Sequence, residues 1–469
     1  GVGEWGTTPL APDAPLPGSS DTVFVNANDV PVSPTNTAQW EVFNSLKAVR
    51  IAFKRRVIID VPEGEAELKV RTNNKGWSTP INYNEGGGLI KRGAGTLIFD
   101  TPHKGDARSD HECYVEVEEG AVAMTRKAVT DEFRNYSYGK FTLAEGTRLY
   151  LPRREDRASF YRTSVWGFEG KGTVVAEDPS ASCYVTGGME SVFEGDFEGD
   201  IGLNIGGLQT LANPNCTLRT VSPIGTMGSL TTRPEWNDDG PSFVNIGNPG
   251  EPSSMGKTTQ IDIGNSDQNG GVIHYIGAGE TSSKNFYIGR TLRHPFFLDG
   301  GAGGLTLTGQ FKLYAVDGNM ERIVLEGTGT GEHESRMTGS MKGASSGEGV
   351  PCSFVITKRG TGTWSLENTR ETKGAFYVQD GTLKFDSIAE TNIVSALGYS
   401  TMLTENRGIA WTNAAAHVPY AFQLGSTDTN NAAVGKGLME YTGTVRGRTT
   451  TRLTQVNGAG GFVNNGDSI

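Results

Sequence analysis

The stretch Lys358-Arg359-Gly360-Thr361-Gly362-Thr363-Trp364-Ser365-Leu366, continued by Ala375-Phe376-Tyr377-Val378, Asp380-Gly381 and Thr382-Leu383-Lys384-Phe385, decides the fold class. It alternates turns of Gly, Asp and Thr with β-prone runs of four or five residues, and no helical period runs through it. Such short strands set off by turn residues predict a sheet built from short rungs. The same design returns near the front as Lys91-Arg92-Gly93-Ala94-Gly95-Thr96-Leu97-Ile98-Phe99, followed by Tyr114-Val115-Glu116-Val117 and then Glu119-Gly120 in the place of Asp380-Gly381. Both read as copies of one unit. Gly167 to Val175 reuses the turn as Gly170-Lys171-Gly172-Thr173 but has lost the Lys-Arg pair. The pair therefore reads as part of a repeating turn and not as a catalytic site.

The composition agrees with a coil-stacked chain. Of 469 residues 65 are Gly and only 36% are hydrophobic, against roughly 7% Gly in average proteins. A stack of coils tolerates this, because each coil buries only a thin line of side chains. Alternating Ile, Val, Leu, Phe and Tyr argue against disorder over most of the length. A net charge of −11 without a basic arm argues against nucleic acid as a partner. No apolar run approaches the length of a membrane span, so no membrane insertion by this chain is expected. The chain starts without Met or a signal peptide, which fits a processed or trimmed protein. Cys113, Cys183, Cys216 and Cys352 form no ligand set; disulfides between coils and free buried thiols both remain open.

Four sections follow from composition: a lead-in and cap over 1–60, a first β section over 61–211, a loop-rich junction over 212–258 and a second β section over 259–469. Gln39 to Ala52, with Trp40, Phe43, Leu46 and Val49, predicts a short helix able to close a terminal coil. A second repeat is read in Ile263 to Gly277 and Leu424 to Gly443. It matches Asp267 with Asp428, Tyr275 with Tyr441 and the Gly301 turn with the Gly458 turn, at offsets of 161, 166 and 157 residues. Drifting offsets require insertions, which solenoids place in loops. With twenty-odd residues per coil and about 4.8 Å per coil, the rod would be on the order of 100 Å long.

Val324 to Gly331, Met341 to Glu348, Ile356-Thr357-Lys358-Arg359-Gly360-Thr361-Gly362-Thr363 and the closing Asp380-Gly381-Thr382-Leu383 resemble the autotransporter-associated β-strand repeat. Residues 88 to 124 are similar to it, with Gly120-Ala121-Val122-Ala123 in place of the closing Gly-Thr-Leu. The resemblance covers about a quarter of the chain. It implies a right-handed parallel β-helix, secreted or displayed on a bacterial surface, acting as adhesin, stalk or assembly subunit. The implied partners are a glycan or an extracellular protein, or other copies stacked end to end. No membrane barrel follows in this sequence, which is a departure from the family pattern.

Parallel β-helices also serve as polysaccharide lyases and glycosidases, so an enzyme acting on an acidic glycan is the alternative. Its candidate residues are Arg153, Arg154 and Arg157 with Tyr161, whose guanidinium forks suit carboxylate or sulfate. The plainer reading is a self-paired surface turn. Asp106, Asp110, Glu112, Glu116 and Glu118 could supply paired carboxylates if the fold made them converge. Glu116 and Glu118 alternate with Val115 and Val117, which predicts a solvent face instead. Asp110-His111-Glu112 lacks a partner at metal-ligand spacing. Asn265, Asp267 and Asn269 have the spacing of a calcium loop, yet the twelfth position is Ile276 and not Glu. An Asx-rich turn is the plainer reading. Trp364 and Trp411 could be sugar platforms, although Trp364 opens a strand of the repeat and reads as core. No cofactor other than calcium is suggested.

Overall fold

A computed structural model describes residues 22–25, 32–37, 40–41, 50–53, 56–68, 88–99, 114–124, 135–137, 139–151, 162–177, 181–185, 190–199, 201–205, 208–216, 220–223, 240–263, 271–289, 295–313, 320–343, 353–367, 373–388, 395–397, 422–427, 433–444, 454–456 and 458–466. The described chain is all-β with almost no helix, and its long parallel sheets are consistent with the β-solenoid class. It divides into two compact units, Gly1–Arg219 and Thr220–Ile469.

In the first unit a first sheet contains Arg56–Asp60, Gly88–Arg92, Tyr114–Val117, Lys140–Leu143, Gly167–Gly170, Ser191–Phe193 and Gln209–Leu211. A second sheet contains Glu65–Leu68, Thr96–Phe99, Ala121–Ala123, Arg148–Tyr150, Thr173–Val175 and Asp196–Glu198. A third holds Asn135–Ser137, Arg162–Val165, Ala181–Val185 and Ile201–Ile205. From Lys140 on the chain visits the sheets in turn, each circuit adding one strand to each. Successive first-sheet partners, from Val57 and Leu89 to Phe193 and Leu211, lie 32, 26, 26, 27, 23 and 18 residues apart. Period-two alternation sets the core: Val57, Leu89, Val115, Phe141 and Phe168 stack in register, all buried.

The second unit repeats the plan. Its first sheet runs from Ser242–Phe243 through Val272–Tyr275, Phe296–Asp299, Met320–Glu326, Ser353–Lys358, Lys373–Val378 and Phe422–Leu424 to Thr454–Val456. Its second sheet holds Glu280–Ser282, Leu305–Leu307, Ser335–Met337, Thr363–Leu366, Gly381–Phe385, Ala433–Tyr441 and Ala459–Asn464. The third holds Gln260–Ile263, Asn285–Ile288, Phe311–Leu313 and Met341–Gly343. Here the first sheet buries both faces. Ile273, Leu298 and Leu325 stack on one side, and Val272, Phe297 and Val324 form a buried cluster on the other. The expectation of a single thin apolar line is too simple for this unit.

Two expectations are corrected. The capping helix over Gln39–Ala52 does not run its length: helical residues occur at 37, 40 and 41, residues 42–49 lie outside the described set, and Arg50–Phe53 is a strand paired in parallel with Thr22–Val25. Ile51 and Phe53 answer to pairing with a distant strand, which overrides a weak helical period. The second repeat is also partly misaligned. Tyr275 lies in the first sheet and Tyr441 in the second, so these two are not equivalent. The Gly301 and Gly458 turns do match, each following a first-sheet strand with φ of +64° and +63°.

Candidate functional site

The Lys-Arg turn is where the sequence pointed most insistently, and the structure splits the pair. Lys91 takes the inward column held by Ile59, Val117 and Leu143, and Lys358 the column of Leu325, Val378 and Leu424. Both lysines are fully buried. An ammonium at an apolar position needs acceptors for its three protons, and each cage supplies them from the main chain. Lys91 Nζ donates to the carbonyl oxygens of Arg92 at 2.7 Å, Gly93 at 2.7 Å and Glu119 at 3.2 Å. Lys358 Nζ donates to those of Arg359 at 2.6 Å, Gly360 at 2.6 Å and Asp380 at 3.3 Å. Burial lowers both ammonium groups to about 8, opposed by the charges of Asp60 and Glu119 at Lys91 and of Asp380 and Glu326 at Lys358. Both remain cations at neutral pH.

The glycines around each cage also match. Gly120 and Gly381 have φ of +65° and +69°. A Cβ on Gly120 would come 2.4 Å from the Gly93 carbonyl oxygen, and one on Gly381 2.4 Å from that of Gly360. Only glycine lets consecutive turns approach so closely. In the third copy the Lys91 column continues through Gly170 to Phe193, and Phe168, Phe193 and Phe197 pack as a trio with ring centroids 5.1 to 6.1 Å apart.

The arginines lie further out and join neighbouring rungs. Arg92 Nε meets Glu118 at 2.5 Å on the next rung, while Arg359 pairs with Glu326 on the preceding one and lies 5.3 Å from the Phe297 ring centroid. Lys140–Glu169, Arg148–Glu198 at 2.6 Å and Lys171–Glu194 at 3.8 Å extend the pattern. In the second unit buried Glu334 receives Arg336 at 2.8 Å and Lys384 at 2.7 Å, and Arg336 also reaches Glu367 at 3.1 Å. The exposed ones among these, such as Lys171–Glu194, contribute about 0–1 kcal/mol each. Their consequence here is that these charges face each other across rungs and not a common ligand.

Three further constellations went unread in the sequence. His274 Nδ1 lies 3.3 Å from Asp299 Oδ2, and Asp299 Oδ1 accepts the Gly301 N–H at 2.8 Å. Burial alone would raise the Asp299 carboxyl; the His274 ring and the Gly301 N–H outweigh it and hold it below its ordinary value. With one oxygen capping the left-handed turn at Gly301, the pair reads as a turn clamp. Glu280 accepts the N–H groups of Ile246 and Gly247, the latter at 3.1 Å. Lys284 Nζ donates to Ile246 O at 2.8 Å, to Gly256 O and to Ser253 Oγ at 3.0 Å. A Ser–Lys pair is also a nucleophile arrangement, but Ser253 and Lys284 are both fully buried and Ser253 donates to Ile246 O at 2.7 Å. They staple the 245–257 loop to the following rung. Only long-range spacing of 25 to 38 residues links these groups, which no local motif signals.

Of the residues singled out for chemistry, Glu116 and Glu118 fall half-exposed between buried Val115 and Val117, as alternation predicts. Glu118 is taken by Arg92. Trp364 is core, its indole N–H donating to the Glu326 carbonyl oxygen at 2.5 Å. Cys183 is a free buried thiol that burial pushes up to about 12, and Cys216 is buried as well. Arg153, Arg154, Arg157, Tyr161, Asn265, Asp267, Asn269, Asp106, Asp110, His111, Glu112, Cys113, Cys352 and Trp411 lie outside the described residues. Among the described residues no group of three or more His, Cys, Asp or Glu side chains could hold a metal ion, and no helix is long and apolar enough to cross a membrane. No protein-family model, no curated protein and no solved structure matches the chain.

Proposed function

We propose that the chain is a structural β-solenoid of closed, right-handed parallel coils, secreted or displayed at a bacterial surface and working as an adhesin, stalk or assembly subunit. Its partners would be a glycan, an extracellular protein or further copies of itself. The observation that carries this reading is the pair of lysine cages. Two copies of one turn bury the same cation against the same three carbonyl positions, so the most conspicuous basic residues act within the architecture. The cross-rung ion pairs support it in the same way.

The test is to incubate the chain with a panel of uronate polymers and follow unsaturated product. No release is expected, and release abolished by Arg153→Ala/Arg154→Ala/Arg157→Ala would replace this reading with the lyase alternative. Calorimetric titration with calcium tests the loop of Asn265, Asp267 and Asn269, where Ile276 stands at the bidentate position.

A further inference from the structure

The third sheet of the second unit turns outward a polar face that carries two lysines in register. Along its four strands Ile261, Phe286, Phe311 and Met341 point into the core and are fully buried. Phe286 and Phe311 stack with centroids 4.8 Å apart and planes 4° from parallel, so these rungs lie flat on one another. The intervening positions face out. One outward column is Asp262, Tyr287, Lys312 and Lys342, each paired in register with the next. Lys312 is half-exposed and Lys342 exposed. The row beside it is uncharged: Asn285 Oδ1 accepts the Gln310 N–H at 2.8 Å, and Gln310 Nε2 donates to Ser340 Oγ at 3.3 Å.

Like charges placed opposite each other on neighbouring strands destabilise a sheet. Elsewhere among the described residues the register avoids this or neutralises it. Asp60 faces Arg92, and Lys384 faces Glu440. Asp299 and Glu326 do share a register, but His274 pairs with the first and Arg359 with the second, so each acid meets its own base. Lys312 and Lys342 have no acid next to them in their column. Tyr287 comes next, and Asp262 beyond it accepts from Gln260 Nε2 at 2.7 Å. Departures from a local rule of this kind are expected where a protein has a function to serve. On a chain of net charge −11 two stacked ammonium groups form a local positive site that an external anion would neutralise.

The geometry points to a binding site for a polyanionic glycan whose chain runs across the rungs of this face. The rung spacing of about 4.8 Å is close to the length of one pyranose residue. Carboxylates or sulfates on successive sugars therefore meet Lys312 and Lys342 in turn. An ammonium suits either anion, because it acts as a point charge without the bidentate geometry of arginine. Tyr287 on the next rung offers a ring for a sugar face and a hydroxyl at its tip. The Gln310 and Ser340 row offers partners for sugar hydroxyls. This rests on the glycan-partner reading above and names its site.

Fluorescence anisotropy with the full 469-residue chain tests it, using labelled heparin for sulfate, labelled polygalacturonate for carboxylate and labelled dextran as the neutral control. The expected result is binding to one or both polyanions and none to dextran, and the polyanion that binds identifies the anion. Lys312→Gln/Lys342→Gln is expected to weaken binding about tenfold or more. It should also lower the slope of log affinity against log salt by roughly two, one for each lost contact, with an unchanged melting temperature. Lys312→Arg/Lys342→Arg keeps the charge and should retain binding. Lys171→Gln, which removes an exposed lysine of the first unit, should leave binding as it is. No binding to either polyanion, binding unchanged in the double glutamine variant, or an equal loss in Lys171→Gln would each overturn the proposal. So would displacement of the glycan by oligothymidylate at equal charge concentration. Failure here without product release from uronate polymers removes this site and leaves the structural reading standing. Product release removes that reading whether or not these lysines bind.

Discussion

Lys91 and Lys358 stand in equivalent cages, each donating to its own turn and then to the carbonyl of an acidic residue on the next rung, Glu119 at 3.2 Å and Asp380 at 3.3 Å. The agreement extends to the main chain. Glu118 and Glu119 N–H groups donate to Lys91 O at 3.0 and 3.4 Å, and Gln379 and Asp380 N–H groups to Lys358 O at 2.9 and 3.4 Å. Each lysine thus binds two rungs through a side chain that reaches forward and a carbonyl that is gripped from ahead.

Replacing Lys358 or Lys91 with Met keeps the apolar stem and takes the ammonium donor away from three carbonyl oxygens in each cage; among the described residues only Arg92 O keeps a main-chain donor, the Val61 N–H at 2.9 Å. Each substitution is expected to cost about 3 kcal/mol, because a buried acceptor left unsatisfied carries its full desolvation penalty. Arginine should not rescue, since its planar fork cannot reproduce three converging bonds from one nitrogen. By contrast Arg92→Gln, which removes a half-exposed ion pair, should leave stability close to that of the wild type. Urea unfolding of the single variants separates these outcomes; a Met variant as stable as wild type would show that the cages do not hold the rungs.

The same cages make a pH prediction. Folded Lys91 and Lys358 release their protons near 8, whereas the unfolded chain holds them to the ordinary 10.5. Between those values the unfolded state binds more protons, so stability from these groups rises with pH. Below about 8 both states are charged and the contribution is flat. Unfolding free energy measured from pH 7 to 10.5 should therefore climb more in the wild-type chain than in Lys91→Met/Lys358→Met. Parallel curves would mean that the cages hold their protons as tightly as water does.

Much of this was legible because the informative signals are local. The Gly-x-Gly-Thr turn, the Val115–Val117 alternation and the apolar side of Trp364 each follow from a few consecutive residues. What was not legible depends on stacking. Lys358 reads as a solvated turn residue until Val378 and Leu424 are known to lie above it. Glu280 and Lys284 find their partners 28 to 38 residues away. Tyr275 and Tyr441 share a sequence context but lie on different sheets, since insertions of variable length move a motif from one sheet to another without changing it. The Gln39–Ala52 period was too short to outweigh pairing of Arg50–Phe53 with Thr22–Val25.

Glycine substitutions test the stacking itself. Gly120→Ala and Gly381→Ala add a Cβ that would fall 2.4 Å from a carbonyl oxygen of the preceding turn, on backbone with positive φ. Gly146, with φ of +82°, has nothing within 4 Å of the position a Cβ would take. Gly146→Ala therefore carries only the left-handed backbone penalty of about 1–2 kcal/mol. Gly120→Ala and Gly381→Ala add displacement of a rung by main-chain overlap, and are expected to exceed about 4 kcal/mol, the range that marks a disrupted site. Thermal and urea unfolding of the three variants side by side gives the comparison. Equal losses at all three positions would mean that turn conformation alone, and not the approach of one rung to the next, requires glycine here.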